Sequence, residues 1–263
     1  MEKESQILDR KSIAICTALP GGSVDVQYMK SITELVSSLE EQGYSPYTIS
    51  SMDPISTSKA KNFLISVALK EPNLHGVLLV SPDQSFDPKD VVDMIKSGKN
   101  VIAAASPTKY VNWDQVRSAA LMGRDNLELY SGSFSLEFLP GDEINFSLNT
   151  PFKVKTISSN LMYISKESLE KLKSLCSSYI NSSMSSEDKE EVCEYFYTSK
   201  NDENILIFED FNFCNNWRSL GEDVWVAPWV KVQQSGSFRF VGSFSHSLEL
   251  SSRVSEITKA NRD

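Results

Sequence analysis

No Cys-x-x-Cys pair occurs in this chain. Its four cysteines, Cys16, Cys176, Cys193 and Cys214, stand far apart. That spacing argues against a zinc ribbon or a thioredoxin motif. With no signal-like start, it predicts reduced thiols in a cytoplasmic compartment. Positive charge is also short: 26 Lys and Arg face 35 Asp and Glu, a formal net charge of −9. A sequence-blind nucleic-acid coat needs clustered positive charge, so this balance argues against one, although a local basic groove stays compatible with it. No apolar run approaches the roughly 20 residues of a membrane span. Met1 to Lys11 is charged and lacks an apolar core. The triplets beginning at Asn145 and Asn181 are therefore read as chance matches to a glycosylation acceptor. Neither G-x-G-x-x-G nor the phosphate-binding G-x-x-x-x-G-K is present, and there is no internal repeat.

Hydrophobic residues make up 40% of the 263, enough for a sizeable core. The chain is organised around HGVLLVSPDQSFDPKDVVDMIKSGKNVIAAA, residues 75–105. Val77 to Val80 has the composition of a buried strand and ends in the polar turn Ser81-Pro82-Asp83-Gln84. Asp87 suits an N-cap and Pro88 the first helical position, while Gly98 can end the helix before a strand at Asn100 to Ala105. Upstream, Ser12 to Thr17 reads as the first strand, followed by the turn Leu19-Pro20-Gly21-Gly22-Ser23. Tyr28, Ile32, Leu35, Val36 and Leu39 repeat at helical spacing up to Gly43. Tyr44 to Ser50 reads as a strand and Ser58 to Lys70 as a helix. A β-α-β-α-β-α-β series of this kind predicts an α/β domain with a mostly parallel sheet. Ligands of such sheets bind beyond the carboxyl ends of the strands, which makes Asp83 a site candidate. The Gly21-Gly22 turn either lets a nucleotide approach the backbone or is a plain turn.

Beyond Ser106 the pattern changes. Ser106 to Asp114 reads as a loop feeding a short helix that ends near Gly123. Leu127 to Ile164 alternates short β-like runs with turns, as antiparallel additions would. Ser165 can cap a helix carrying Leu169, Leu172 and Leu175. Ser177 to Glu191 is polar and reads as a lid or a solvated connector. Asn204 to Phe208 is a short apolar run, followed by Glu209-Asp210 and a helix with Phe213, Trp217 and Leu220 on one face. Two acids at a helix start also fit simple capping. Asp223 to Val232 reads as one or two strands, Gln233 to Phe238 as a turn, and His246 onward as a polar tail. His75 and Trp217 read as structural, and Trp113 as core or site.

Taken together and in order, several of these segments resemble the GT-A-type nucleotide-sugar glycosyltransferases, especially small versions seen in phages and large viruses. They are IAICTALPGG, Ala60-Lys61-Asn62, LLVSPDQSF, PTKYVNWD, Asn160 to Ile164, FEDFNFCNNWRSLG, Val224 to Pro228 and QSGSFRFVG. The resemblance spans Ile13 to Gly242 and implies one GT-A-like domain over 12–242, a Rossmann-like α/β/α sandwich. Its nucleotide-binding half is 12–123 and its acceptor-side half 124–242, with tails at 1–11 and 243–263. It implies a donor site at Thr17, Ala18, Leu19, Pro20, Gly21, Gly22, Lys61, Ser81 and Asp83. Lys109, Asn112 and Trp113 would face the sugar or the acceptor. Asp210 would be the general base, with Glu209 orienting it. The donor would be a UDP-sugar and the acceptor a glycan or a modified DNA base, in host cytoplasm if the source is viral.

Two departures stand out. The family carries Asp-x-Asp where this chain has Ser81-Pro82-Asp83, and a late His where it has Gln234. In the family the last Asp and the late His hold a divalent cation, manganese or magnesium. Here Asp83 is the one strong ligand left, with Gln234 a neutral companion, and hard cations prefer several carboxylate oxygens. Lys61, Lys109 or Arg239 can supply positive charge instead. Two rival readings follow: a degenerate GT-A-like domain that binds a sugar nucleotide or partner without turnover, and a nucleotidyltransferase or dinucleotide-binding oxidoreductase, which the missing glycine fingerprints disfavour.

Overall fold

The computed structural model describes residues 10–52, 56–141, 147–181 and 190–237. The readings at Asn145, Phe238, Arg239, His246 and both tails beyond these limits lie outside the described residues, as does the middle of 177–191. A seven-stranded sheet is built from β1 (Ser12–Ala18), β2 (Ser45–Ser51), β3 (Leu74–Val80), β4 (Val101–Ala103), β5 (Phe152–Val154), β6 (Leu161–Ser165) and β7 (Val224–Val226), in the order β2-β1-β3-β6-β4-β7-β5. Five strands run one way. β6 is antiparallel to both its neighbours, and β5 to β7.

The helices are α1 (Val26–Glu41), α2 (Thr57–Ala68), α3 (Pro88–Lys96), α4 (Trp113–Leu121), α5 (Lys166–Leu172) and α6 (Glu209–Ser219). Alternating strand residues face opposite layers, as the pleat requires. Ile13, Ile15, Leu78 and Val80 pack with Tyr28, Leu35, Val91 and Met94 of α1 and α3. Ala14, Cys16, Val77 and Leu79 pack with Leu64 of α2, Leu169 of α5 and Phe213 and Trp217 of α6. Trp217 is thus core. Among the described residues no helix is long and apolar enough to cross a membrane.

Local signals act as expected at several ends. The Asp87 carboxylate accepts from the Lys89 N–H at 2.9 Å to start α3, and Ser165 accepts from the Ser168 N–H at 3.2 Å to start α5. Other expectations need correcting. Pro107–Val111, read as a loop, is a strand paired with Gly132–Phe134. Gln84–Phe86, read as turn and linker, pairs with Val232–Gln234, so Gln233 and Gln234 lie in a strand rather than a turn. Ser178–Asn181 and Glu190–Cys193 form a hairpin at the two ends of the polar stretch. Each of these pairs joins segments distant in sequence or flanking a polar insert, so neither partner carries a complete strand pattern alone.

The strand–loop–helix–strand unit at 75–105 forms, but its two strands are not neighbours. β6 lies between them. All five of its residues are buried, so LMYIS is satisfied only in the middle of a sheet. The insertion is fitted by Gly76: a Cβ there would lie 2.6 Å from the Tyr163 ring. The Tyr163 hydroxyl donates to the His75 carbonyl at 3.3 Å. His75 itself is half-buried, stacked on Tyr44 at 5.9 Å, and burial with nearby Lys11 holds its imidazole below the ordinary range.

Gly76→Ala is therefore expected to destabilise the protein by about 1–3 kcal/mol, the usual cost of overpacking. Its melting temperature should fall by roughly 2–4 °C for each kcal/mol. Adding Tyr163→Leu should make the double variant lose less than the two single losses combined. Full additivity would show that the ring does not read the missing Cβ.

Candidate functional site

The carboxyl ends of β1, β2, β3 and β4 all open on one edge, and the N-terminal end of β6 joins them there. After β1 the chain leaves through a turn in which the Gly22 N–H donates to the Leu19 carbonyl at 3.1 Å, and the Leu19 N–H to Ser51 at 2.8 Å. Gly22 sits at φ +66°, which favours glycine. Pro20, Gly21 and Gly22 are exposed, Leu19 is half-buried, and Ala18 and Thr17 are buried in the strand. The Thr17 hydroxyl is hydrogen-bonded to that of Tyr28.

A second group forms after β3. Ser81 is tied to Asn160, by its N–H to the carbonyl at 2.8 Å and by its hydroxyl to Oδ1 at 3.1 Å. Asp83 is held from three sides. Lys109 Nζ reaches its Oδ2 at 2.5 Å, Gln234 Nε2 donates to the same oxygen at 3.3 Å, and the Ser235 N–H donates to its carbonyl at 2.8 Å. The Lys109 stem passes over Gly236, where a Cβ would meet Lys109 Cδ at 3.3 Å. The strand pairing of 84–86 with 232–234 is what brings Gln234 to Asp83.

The third group is buried. Lys61, on α2, donates from Nζ to Ser159 Oγ at 2.7 Å and to Asp210 Oδ1 at 2.9 Å. Ser159 donates to the same Asp210 oxygen at 2.5 Å, and Glu209 stands 3.9 Å from Lys61. Burial alone would raise the Asp210 carboxyl. The Lys61 charge and the bonds from Ser159 and Lys61 outweigh it and hold the group below the usual carboxylate range. Asp210 is not the cap of α6: the N-cap is Phe208, with no side-chain cap bond. Nor is Lys61 a free cation beside the glycine turn, since Asp210 and Ser159 engage it.

Ser159 and Asn160 are neighbours in the chain, so the second and third groups share one edge. Sequence reasoning missed Ser159 and the Ser81–Asn160 tie. The signal was the polar triplet Ser158-Ser159-Asn160 directly before an apolar run. It becomes meaningful only once β6 is known to run antiparallel, because only then does its start meet the other strands' ends. Gln84 was missed too. It is 0% exposed, and neither its amide nitrogen nor its oxygen has a partner among the described residues. The hydroxyls of Ser106 and Ser158 and the Gln234 Oε1 are buried and unpartnered in the same sense. Buried polar atoms are normally satisfied, so such a group calls for water or a ligand. A cavity of about 660 Å³ is lined in part by Lys109, Tyr110, Phe134, Val232 and Gln234, the last being the strand partner of Gln84. Asn112 instead caps α4, accepting from the Gln115 N–H at 3.1 Å, and Trp113 is 61% exposed rather than core.

A hard divalent cation fits this edge poorly. The one carboxylate near Gln234 already faces an ammonium group, and the remaining neighbour offers a neutral amide. Among the described residues no group of three or more His, Cys, Asp or Glu is placed to hold a metal.

Asp210→Asn should cost about 3 kcal/mol, because it leaves the Lys61 charge buried with weaker partners. Lys61→Met in the same chain should recover part of that loss. The pH dependence has a fixed sign. A carboxylate with a depressed folded pKa contributes stability above its unfolded value, about 3.9, and loses it as pH falls through the folded value. Melting curves on acidification should therefore show a smaller acid-side loss in the double variant than in the native chain. Equal losses would show that the pair carries no such linkage.

No family model matches the chain, and no curated protein matches it. Among solved structures it is similar to the crystal structure of A197 from STIV, with a TM-score of 0.43 and 9% identity over 89% of this chain and 99% of that one. That likeness carries nothing about activity.

Proposed function

We propose that this chain is a glycosyltransferase of GT-A-like build. It moves a sugar from a nucleotide-sugar donor, a UDP-sugar first among candidates, to an acceptor hydroxyl on a glycan or a modified DNA base. The observation that carries this reading is the convergence at one sheet edge of a glycine turn, the Asp83–Lys109–Gln234 cluster and the buried Lys61–Ser159–Asp210 group. Sugar transfer from a nucleotide donor needs each: a backbone that a nucleotide can approach, charge for the departing diphosphate, and a proton acceptor.

In this reading the bond between the anomeric carbon and the diphosphate breaks as the acceptor oxygen bonds to that carbon, and the hydroxyl proton passes to Asp210. Glu209 orients that carboxylate through Lys61. Ala18 to Gly22 border the nucleotide, and Asp83 and Ser81 meet the ribose. Lys109, whose side chain is 54% exposed, swings from Asp83 to the diphosphate and supplies the positive charge. Asn112 and Trp113 border the acceptor. No step is assigned to a metal, because the donor set does not suit one.

A sugar-nucleotide binder without turnover is the second reading, and one observation favours it. A carboxylate held below its usual range by a buried ammonium group is a weaker proton acceptor.

A nucleoside diphosphate at 100 times its dissociation constant should stabilise the fold by about 2.7 kcal/mol. If neither uridine nor guanosine diphosphate, nor any other, shifts the melting point at millimolar concentration, the proposal fails. Lys109→Met should weaken diphosphate binding by about tenfold or more, the worth of one charged hydrogen bond, and leave nucleoside binding unchanged.

Transfer should persist in chelator; a rate that collapses there and returns with manganese would overturn the role given to Lys109. Assayed well below its melting point, Asp210→Asn should lose about 10²–10⁴-fold in transfer while still binding donor. Donor binding by a native chain that transfers to no acceptor supports the binder.

A further inference from the structure

The cavity lined by Lys109 and Gln234 has a neighbour. Lys231 and Gln233 line it, and the same two residues line a second cavity of about 680 Å³. The two cavities therefore adjoin along the strand Val232–Gln234. Each has the size of an ordinary ligand site, about 300–1,000 Å³. The second is walled by α1, by the first turn of α3 and by residues 229–233. Its walls are tied together at two points. The Ser31 hydroxyl donates to the Phe86 carbonyl at 3.0 Å and accepts from the Phe86 N–H at 3.1 Å. The Trp229 indole N–H donates to the Asp90 carbonyl at 3.2 Å. The transfer step proposed above uses none of these residues.

We propose that the two cavities form one acceptor track, and that its occupant is an extended, uncharged oligosaccharide running from Lys109 into the second cavity. The inference rests on the glycosyltransferase reading and decides between the two acceptors which that reading leaves open.

Charge makes the first distinction. Lys30, Lys109 and Lys231 line the two cavities, against Glu34, Asp87, Asp90 and Glu128. Lys109 is already matched by Asp83. Burial, and then the neighbouring Asp87 and Asp93, push the Asp90 carboxyl above its usual range. A nucleic-acid strand brings a phosphate charge with every nucleotide and needs clustered positive charge to hold it. Here it would meet a wall of the same sign. A neutral polyol meets no such penalty. Its hydroxyls donate to carboxylates and accept from ammonium and amide groups, so both signs of charge serve it. Gln27 and Gln233 add amides that can do either.

The apolar walls fit the same occupant. Tyr110 and Phe134, in the first cavity, are 68% and 52% exposed. Trp229 lines the second. Aromatic faces of this kind take the C–H face of a sugar ring, and exposed apolar groups gathered in a groove mark a binding surface. A single base beside Lys109 would leave the second cavity without a function. A chain of sugars occupies both.

The native full-length protein is probed on an array of uncharged glycans, with a thymidine decanucleotide as competitor. Retention of at least one oligosaccharide, undisturbed by the decanucleotide, is expected. Calorimetry then compares that glycan as a hexasaccharide with its disaccharide, and the longer form should bind more tightly. Gln27→Ala with Glu34→Ala removes two exposed side chains of the second cavity only. It should weaken the hexasaccharide about tenfold, the worth of one or two hydrogen bonds, and leave the disaccharide unchanged. Retention of no uncharged glycan, displacement by the decanucleotide, equal affinity for both lengths, or a double variant that binds the hexasaccharide like the native chain each overturns the proposal. Nucleoside diphosphate binding, measured on the same samples, keeps the two readings apart. A chain that binds the diphosphate and no glycan loses the track alone, whereas one that binds the glycan and no diphosphate loses the transferase reading.

Discussion

The arrangement rests on one constraint: a wholly buried antiparallel strand must fit between two strands that run the other way. All five residues of β6 are buried, so it does not serve as an edge. Placed between β3 and β4, it removes both of its faces and both of its ladder sides from water. The fit is steric as well as apolar, because Tyr163 lies over Gly76 where any Cβ would collide. One consequence is chemical. An antiparallel strand begins where its parallel neighbours end, so Ser159 and Asn160 arrive at the edge that carries Ser81 and Asp83. The polar residues that organise the site are thus fixed by the packing of the apolar strand that follows them.

The Lys61–Asp210 pair shows why such a site is held rather than merely assembled. Two buried charges cost more in desolvation than their attraction returns unless further hydrogen bonds complete them. Ser159 supplies one bond to each partner, and Phe196 lies under the ammonium group. The pair therefore contributes less to net stability than to geometry. It joins α2, α6 and the start of β6 at one point, and breaking it from either side leaves an uncompensated charge. Asn62, one residue along α2, fixes the Phe196 backbone from the same helix. The segment that follows Cys193 and the first half of the chain are tied together through two consecutive residues, Lys61 and Asn62.

Much of the α/β half could be read directly. Alternating or continuous apolar runs, the Asp87–Pro88 start of α3 and the glycine ends of α1 and α3 are local signals, and they formed as their chemistry requires. What could not be read was which strands meet. Val101–Ala103 looked like the neighbour of Leu74–Val80, and nothing within either segment announced that Leu161–Ser165 would come between them. The Gln84–Phe86 pairing with Val232–Gln234 spans most of the chain and leaves only three residues of pattern on each side. The same limit applied to the site. Asp83, Lys61, Lys109, Gln234 and Asp210 were legible as chemistry, but their partnerships were not. Lys61 resembled a phosphate-binding cation and is engaged by Asp210. Asp210 resembled a cap, yet Phe208 occupies that position.

The Asp83 partnership shows how a lone carboxylate is satisfied at this edge. Its neighbours Ser81 and Gln234 are neutral and bring no second carboxylate or imidazole to it. A lone carboxylate there would be left to water or to another positive group. Lys109 fills that role, and Gln234 adds a neutral donor to the same oxygen. An ammonium group differs from a bound divalent ion in two ways. It carries half the charge, so its pull on a diphosphate is weaker at equal distance. It also rides on a flexible stem and donates hydrogen bonds, so it can exchange the carboxylate for an incoming phosphate without changing a coordination shell. Gly236 keeps open the path along which that stem lies. Asp83, Lys109, Gln234 and Gly236 thus form one physically coherent arrangement, a carboxylate held by a mobile organic cation whose stem runs over a glycine.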